Sequence, residues 1–132
     1  MTPDTELIGV ALRDGYLSVT LPPYESAPRM EAQIAAIYDA VQKHKTQRLF
    51  IDCRATRRLV PVVDLYELCV YMASTLGPSR PRIAAVISPE ASYPDRFGEN
   101  VLRNRGLDFI RFLGDEESAL DWLLAGGPAT PP

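Results

Sequence analysis

The run Arg48-Leu49-Phe50-Ile51-Asp52 decides how this chain folds. Its centre is apolar at consecutive positions, which suits a central strand buried on both faces of a sheet. Helical patterns flank it. Within Ala27 to Lys45, residues Met30, Ile34, Ile37, Tyr38 and Val41 recur at three- and four-residue spacing and share one face. Glu31, Gln33 and Gln42 lie elsewhere on that helix, and Lys43, His44 and Lys45 crowd its C-terminal end, where positive charge complements the helix dipole. After the central strand and a loop from Cys53 to Val60, Pro61 or Val62 opens a second helix that runs to Leu76, before Gly77-Pro78.

Working outward, Leu7 to Arg13 and Tyr16 to Leu21 alternate apolar and polar residues on either side of Asp14-Gly15, the pattern of a tight hairpin. Pro22-Pro23 ends the second of these strands. On the C-terminal side, Arg82 to Ile87 reads as another buried strand, Ser88 to Ser92 as a loop, and Tyr93 to Arg105 as a third helix with Phe97, Val101 and Leu102 as its stripe. Asp108 to Leu113 is the last strand. Asp115, Glu116 and Glu117 start a final helix packed by Ala119, Leu120, Trp122, Leu123 and Leu124, which Gly126-Gly127 stops.

The order is therefore ββαβαβαβα. It predicts a single α/β domain over 1–127, with a mixed, mostly parallel five-stranded sheet packed with four helices, and a disordered tail over 128–132. The first strand must run antiparallel to the second.

Composition narrows the function. The chain has 132 residues, enough for one domain with its own core, and 46% hydrophobic residues. A net charge of −3 argues against nucleic acid, which is gripped through a basic footprint. No apolar run approaches the roughly 20 residues of a transmembrane segment, and Met1 to Glu6 is too polar for a signal peptide. The two cysteines, Cys53 and Cys69, make no disulfide framework and read as small buried hydrophobes, compatible with the cytoplasm.

No residue set reads as an active site. His44 is the single histidine, and neither cysteine has a nearby ligand partner, so no metal and no cofactor is expected. Glycine-rich phosphate loops and the Gly-x-Ser-x-Gly elbow are absent. The acidic pairs Glu116-Glu117 and Asp95-Glu99 fit helix starts and helix surfaces. Cys53 stands at a strand's C-terminal end beside arginines able to lower its pKa, yet it has no base other than carboxylates.

Two features remain. Arg54, Thr56, Arg57 and Arg58 lie in the loop after the central strand, where open α/β sheets place ligands, and could hold a small anion or a lipid head group. Alternatively the arginines pair with Asp52, Asp64 and Glu67. The second helix is apolar nearly all round. Beyond the face of Val62, Leu65, Tyr66, Cys69, Met72, Ala73 and Leu76, it carries Leu68, Val70 and Tyr71, the expected contact with a protein partner or with a second copy in a homodimer.

From Arg48 to Leu124 the chain resembles the SpoIIAA-like branch of the STAS superfamily. The likeness rests on Leu49-Phe50-Ile51-Asp52-Cys53-Arg54, on Val63-Asp64-Leu65-Tyr66-Glu67-Leu68, on Arg96-Phe97-Gly98-Glu99-Asn100-Val101 with Asn104-Arg105-Gly106-Leu107, and on Phe112 followed by Asp115 to Leu123. The resemblance implies a small α/β domain without enzymatic activity, acting as a regulatory or ligand-binding module. Anti-sigma factor antagonists of the superfamily are switched by phosphorylation of a Ser at the start of the helix after the central strand. This sequence departs there: Cys53, Arg54 and Ala55 follow Asp52, and Thr56 is the only hydroxyl in the loop. The architecture is also similar to CRAL-TRIO lipid-binding domains, which makes a small apolar ligand the alternative to a protein partner.

Overall fold

Gly15, with φ of 90°, turns β1 (Gly9–Arg13) back onto β2 (Tyr16–Thr20), and the two pair antiparallel from Gly9 opposite Thr20 to Arg13 opposite Tyr16. A computed structural model describes residues 7–125; the expected tail and the Gly126-Gly127 stop lie outside the described residues. The chain continues through α1 (Ala27–His44), β3 (Arg48–Asp52), α2 (Val62–Thr75), β4 (Arg82–Val86), α3 (Phe97–Asn104), β5 (Ile110–Leu113) and α4 (Glu116–Ala125). Ser26 caps α1 by accepting from the Arg29 amide, and Lys45 ends it in the left-handed conformation.

The five strands lie side by side in chain order, β1-β2-β3-β4-β5, and all pairs but the first are parallel. Each parallel step moves the chain one strand in the same direction. Crossovers of one hand therefore place their helices on one face. The packing shows this. Leu17, Leu49, Ile83 and Ile110 stand in one transverse register row and face α1, α2 and α3 in the larger core. Phe50, Ala84 and Val86 face the other way and are covered by Ala119 and Leu123 of α4. The continuous apolar run at β3 is thus explained by burial on both sides.

Several expected boundaries and burials are corrected. The first strand starts at Gly9, two residues late, because Leu7 and Ile8 turn into the core instead. The third helix starts at Phe97, because Asp95 and Arg96 hold φ of 58° and 57°, a left-handed pair that a helix cannot contain. Two short 3₁₀ turns, Pro89–Ala91 and Pro94–Arg96, fill the space before it. Gln33 is buried on α1, where its Nε2 donates to the Leu7 carbonyl at 3.1 Å and ties the N-terminal segment to the helix.

Candidate functional site

The loops at the C-terminal ends of β2, β3 and β4 meet around Thr56. Its Oγ1 accepts from the Tyr24 amide at 2.8 Å, and its carbonyl accepts from the Ser88 hydroxyl at 2.6 Å. Tyr24 in turn donates its hydroxyl to Asp64 on α2 at 2.8 Å, while burial and then this hydrogen bond raise its pKa. Thr56, expected as a ligand contact, is thereby a knot between three loops.

The three arginines of the same loop diverge. Arg54 grips Asp52 through two parallel bonds of 2.9 Å and reaches Glu116 on α4 at 3.3 Å. The side-chain bond from Arg54 holds the Asp52 carboxyl below the usual carboxylate range. Arg57 pairs with Glu90 at 2.5 Å on the surface. Arg58 donates to the Tyr24 carbonyl at 3.1 Å, with its guanidinium over the Tyr24 ring. Of the three carboxylates expected as partners, only Asp52 is one. The guanidiniums serve separate partners and do not converge on a common anion.

Behind the loops lies a cavity of about 360 Å³ between the sheet and the three-helix layer. Ile51 and Ala85 form its floor, Ile34 of α1 and Leu68 and Met72 of α2 its walls. A volume of this order is within the range of about 300–1,000 Å³ typical of small-molecule sites. The lining is overwhelmingly apolar, and Cys53 belongs to it. Burial, and then the charge of Asp52, push the Cys53 thiol up to about 12. The neighbouring arginines therefore do not activate it, since Arg54 is spent on Asp52.

One polar group in the lining stands apart. Glu99 of α3 is only 4% exposed. Its Oε2 accepts from the Phe112 amide of β5 at 2.6 Å, whereas its Oε1 is buried without a hydrogen-bond partner. The nearest cations are Arg96, 3.7 Å from Oε1, and Arg111, 3.8 Å from Oε2, too far to donate. Arg96 also lines the cavity and belongs to the left-handed pair Asp95-Arg96. Strain of this kind costs on the order of 1–3 kcal/mol per residue and gathers where a chain must shape a site. The sequence reading treated Glu99 as a helix-surface acid; its position three residues before Leu102, on the apolar stripe, was the available signal.

The second helix presents a different surface from the one expected. Leu68 is 5% exposed and belongs to the core, and Tyr71 is half-buried against it, so only Val70 of the three expected contact residues stands out, at 58%. Val62, Val63 and Tyr66, with Leu59 of the preceding loop, are exposed instead. The spacing of Val62, Val63 and Tyr66 places these three with Val70 on one outward stripe of α2.

Among the described residues, no three metal-binding side chains gather, and no helix is long and apolar enough to cross a membrane. Comparison with protein-family models finds no match to this chain, and comparison with curated proteins finds none either.

Proposed function

We propose that this domain is a non-catalytic binding module of SpoIIAA-like type whose ligand is a small, lipid-like apolar molecule. The observation that carries the reading is the apolar cavity of about 360 Å³ at the C-terminal ends of the parallel strands, where open α/β sheets take their ligands. The unpartnered Glu99 Oε1 in its lining favours a ligand with one hydrogen-bond donor, such as a hydroxyl, because burying a carboxylate oxygen without a donor is costly. The loop arginines support this better than an anion site, since each already has a partner.

The test is native mass spectrometry of freshly purified protein, with thermal shifts against medium-chain fatty alcohols and the matching acids. Retained small-molecule mass, or stabilisation by the alcohols that Ala85→Leu abolishes by filling the cavity floor, is the expected result. No retained mass and no shift with any of these compounds, together with a plain gain in stability for Ala85→Leu, would reduce the cavity to a packing void.

The exposed stripe on α2 favours a second reading in which the module also associates with a protein partner, here a second copy of the chain. Val63 is 73% exposed within it, and a stripe of four large apolar side chains on one surface is unusual for a monomer.

A further inference from the structure

The ladder registers bring arginines together on the α4 face of the sheet, far along the strands from the loops of the cavity. Arg13 of β1 stands opposite Tyr16 of β2, and Arg48 of β3 is in register with Arg82 of β4. Tyr16 immediately precedes Leu17, whose partner is Leu49, the residue after Arg48. Arg13, Tyr16, Arg48 and Arg82 therefore form one transverse row at the N-terminal ends of the parallel strands. Arg111 of β5 lies on the same face, in register with Ala84 two residues beyond Arg82. With strands about 4.8 Å apart, the row from β1 to β4 spans about 14 Å.

Among the described residues, Arg13, Arg48 and Arg82 form no ion pair. Arg82 lies over the Trp122 ring at 3.7 Å and donates Nη2 to the Trp122 carbonyl at 2.6 Å. The Nε atoms of both Arg48 and Arg82 are buried without a hydrogen-bond partner. Burial, then the charges of Arg48 and Arg111, lower the pKa of Arg82. In front of the row lies an open groove of about 720 Å³, lined by Arg13, Tyr16, His44, Lys45, Arg48 and Leu124 among others, with no carboxylate.

Like charges directly across a ladder are destabilising, and a buried donor without a partner adds a further cost. The helix dipole accounts for His44 and Lys45 at the end of α1, but not for Arg13, Arg48 and Arg82, which are on strands. A chain with a net charge of −3 has nevertheless assembled a groove whose only charged side chains are basic.

We propose that this groove is an anion site, separate from the apolar cavity, for a small molecule bearing two or more phosphoryl groups. One group sits against Arg48, and another reaches Arg13 and Lys45, while Arg82 lies behind them against Trp122 and adds its charge. The length of the row selects for multiple anionic groups over a single one.

Calorimetric titration of the whole chain with sodium triphosphate, and separately with orthophosphate, at ionic strength fixed by sodium chloride, tests this. Triphosphate should bind at least about tenfold more tightly than orthophosphate, which is the worth of one further charge-assisted hydrogen bond. Arg48→Gln and Arg13→Gln should each weaken it, Arg48→Gln by about tenfold or more, while Arg103→Gln on the surface of α3 and Ala85→Leu in the cavity leave it unchanged. Arg13→Gln, at the end of the edge strand, decides the question alone should Arg48→Gln not fold. Absence of triphosphate binding, or binding that survives substitution of Arg13 and Arg48, overturns the site; equal affinity for orthophosphate overturns the polyanion class.

Discussion

Glu99 accepts the amide of Phe112 at 2.6 Å, so a buried carboxylate on α3 takes up a backbone donor of the edge strand β5. This single bond fixes the third helix to the end of the sheet and leaves the other carboxylate oxygen in the cavity lining. Glu99→Ala should cost about 1–3 kcal/mol in urea unfolding, because the Phe112 amide loses its acceptor inside the fold. Glu99→Gln keeps an acceptor and should cost clearly less. Hydrogen exchange at the Phe112 amide should speed up in the Ala variant only; unchanged protection there would show that the bond does not hold the strand.

Leu68 and Val70 are two residues apart on α2 and differ entirely in environment. Leu68→Ala should destabilise by about 2–5 kcal/mol, the cost of truncating a core leucine. Val70→Ala should stay within about 0.5 kcal/mol, as surface changes do. Comparable losses in denaturant melts would mean that Val70 is covered in solution.

Such covering is what self-association would do. Light scattering at increasing concentration should show the wild-type chain moving toward a dimer mass and Val63→Glu remaining monomeric, since a charge within the stripe cannot be desolvated without a partner. A constant monomer mass in both proteins removes the second copy as the occupant of α2.

The Cys53 thiol links stability to alkaline pH. In the unfolded chain it ionises near about 8.5, whereas in the fold it is pushed up to about 12. Its contribution is therefore complete below the unfolded value and is lost as pH rises toward the folded one. Unfolding free energies measured from neutral pH to about pH 10 should decline more shallowly in Cys53→Ala than in wild type, by up to about 1.4 kcal/mol per pH unit over the upper part of that range. Alkylation of Cys53 at neutral pH should be slower than that of a free thiol.

The local features of the fold were legible in the sequence. Asp14-Gly15 marked the hairpin, and the apolar run at 49–51 marked a strand covered on both sides, which is what β3 is. Of the partners of the loop residues, Asp52, two residues from Arg54, was legible; the others were not, because they lie 32 to 62 residues away along the chain, as with Thr56 and Tyr24 or Arg54 and Glu116. Periodicity also marked α2 as apolar on more than one side, but the face it favours for the core is partly displaced, so Leu68 and Val62 exchange places. The left-handed pair Asp95-Arg96 interrupts the helical pattern, and nothing in the local composition marks it. Glu99 and the basic row stayed hidden for a related reason: each depends on strand register, and a row such as Arg48 beside Arg82 exists only once β3 and β4 are aligned.

The unbroken strand order β1 to β5 bears on how the molecule comes into being. Every strand that leaves the ribosome finds its neighbour already in place, and no gap in the sheet waits for a later segment. The exception is α4. Until that helix emerges, Phe50, Ala84 and Val86 lie bare on an otherwise finished sheet. Closing that face waits for α4, so a chain cut short before Glu116 would offer its sticky side to whatever is nearby.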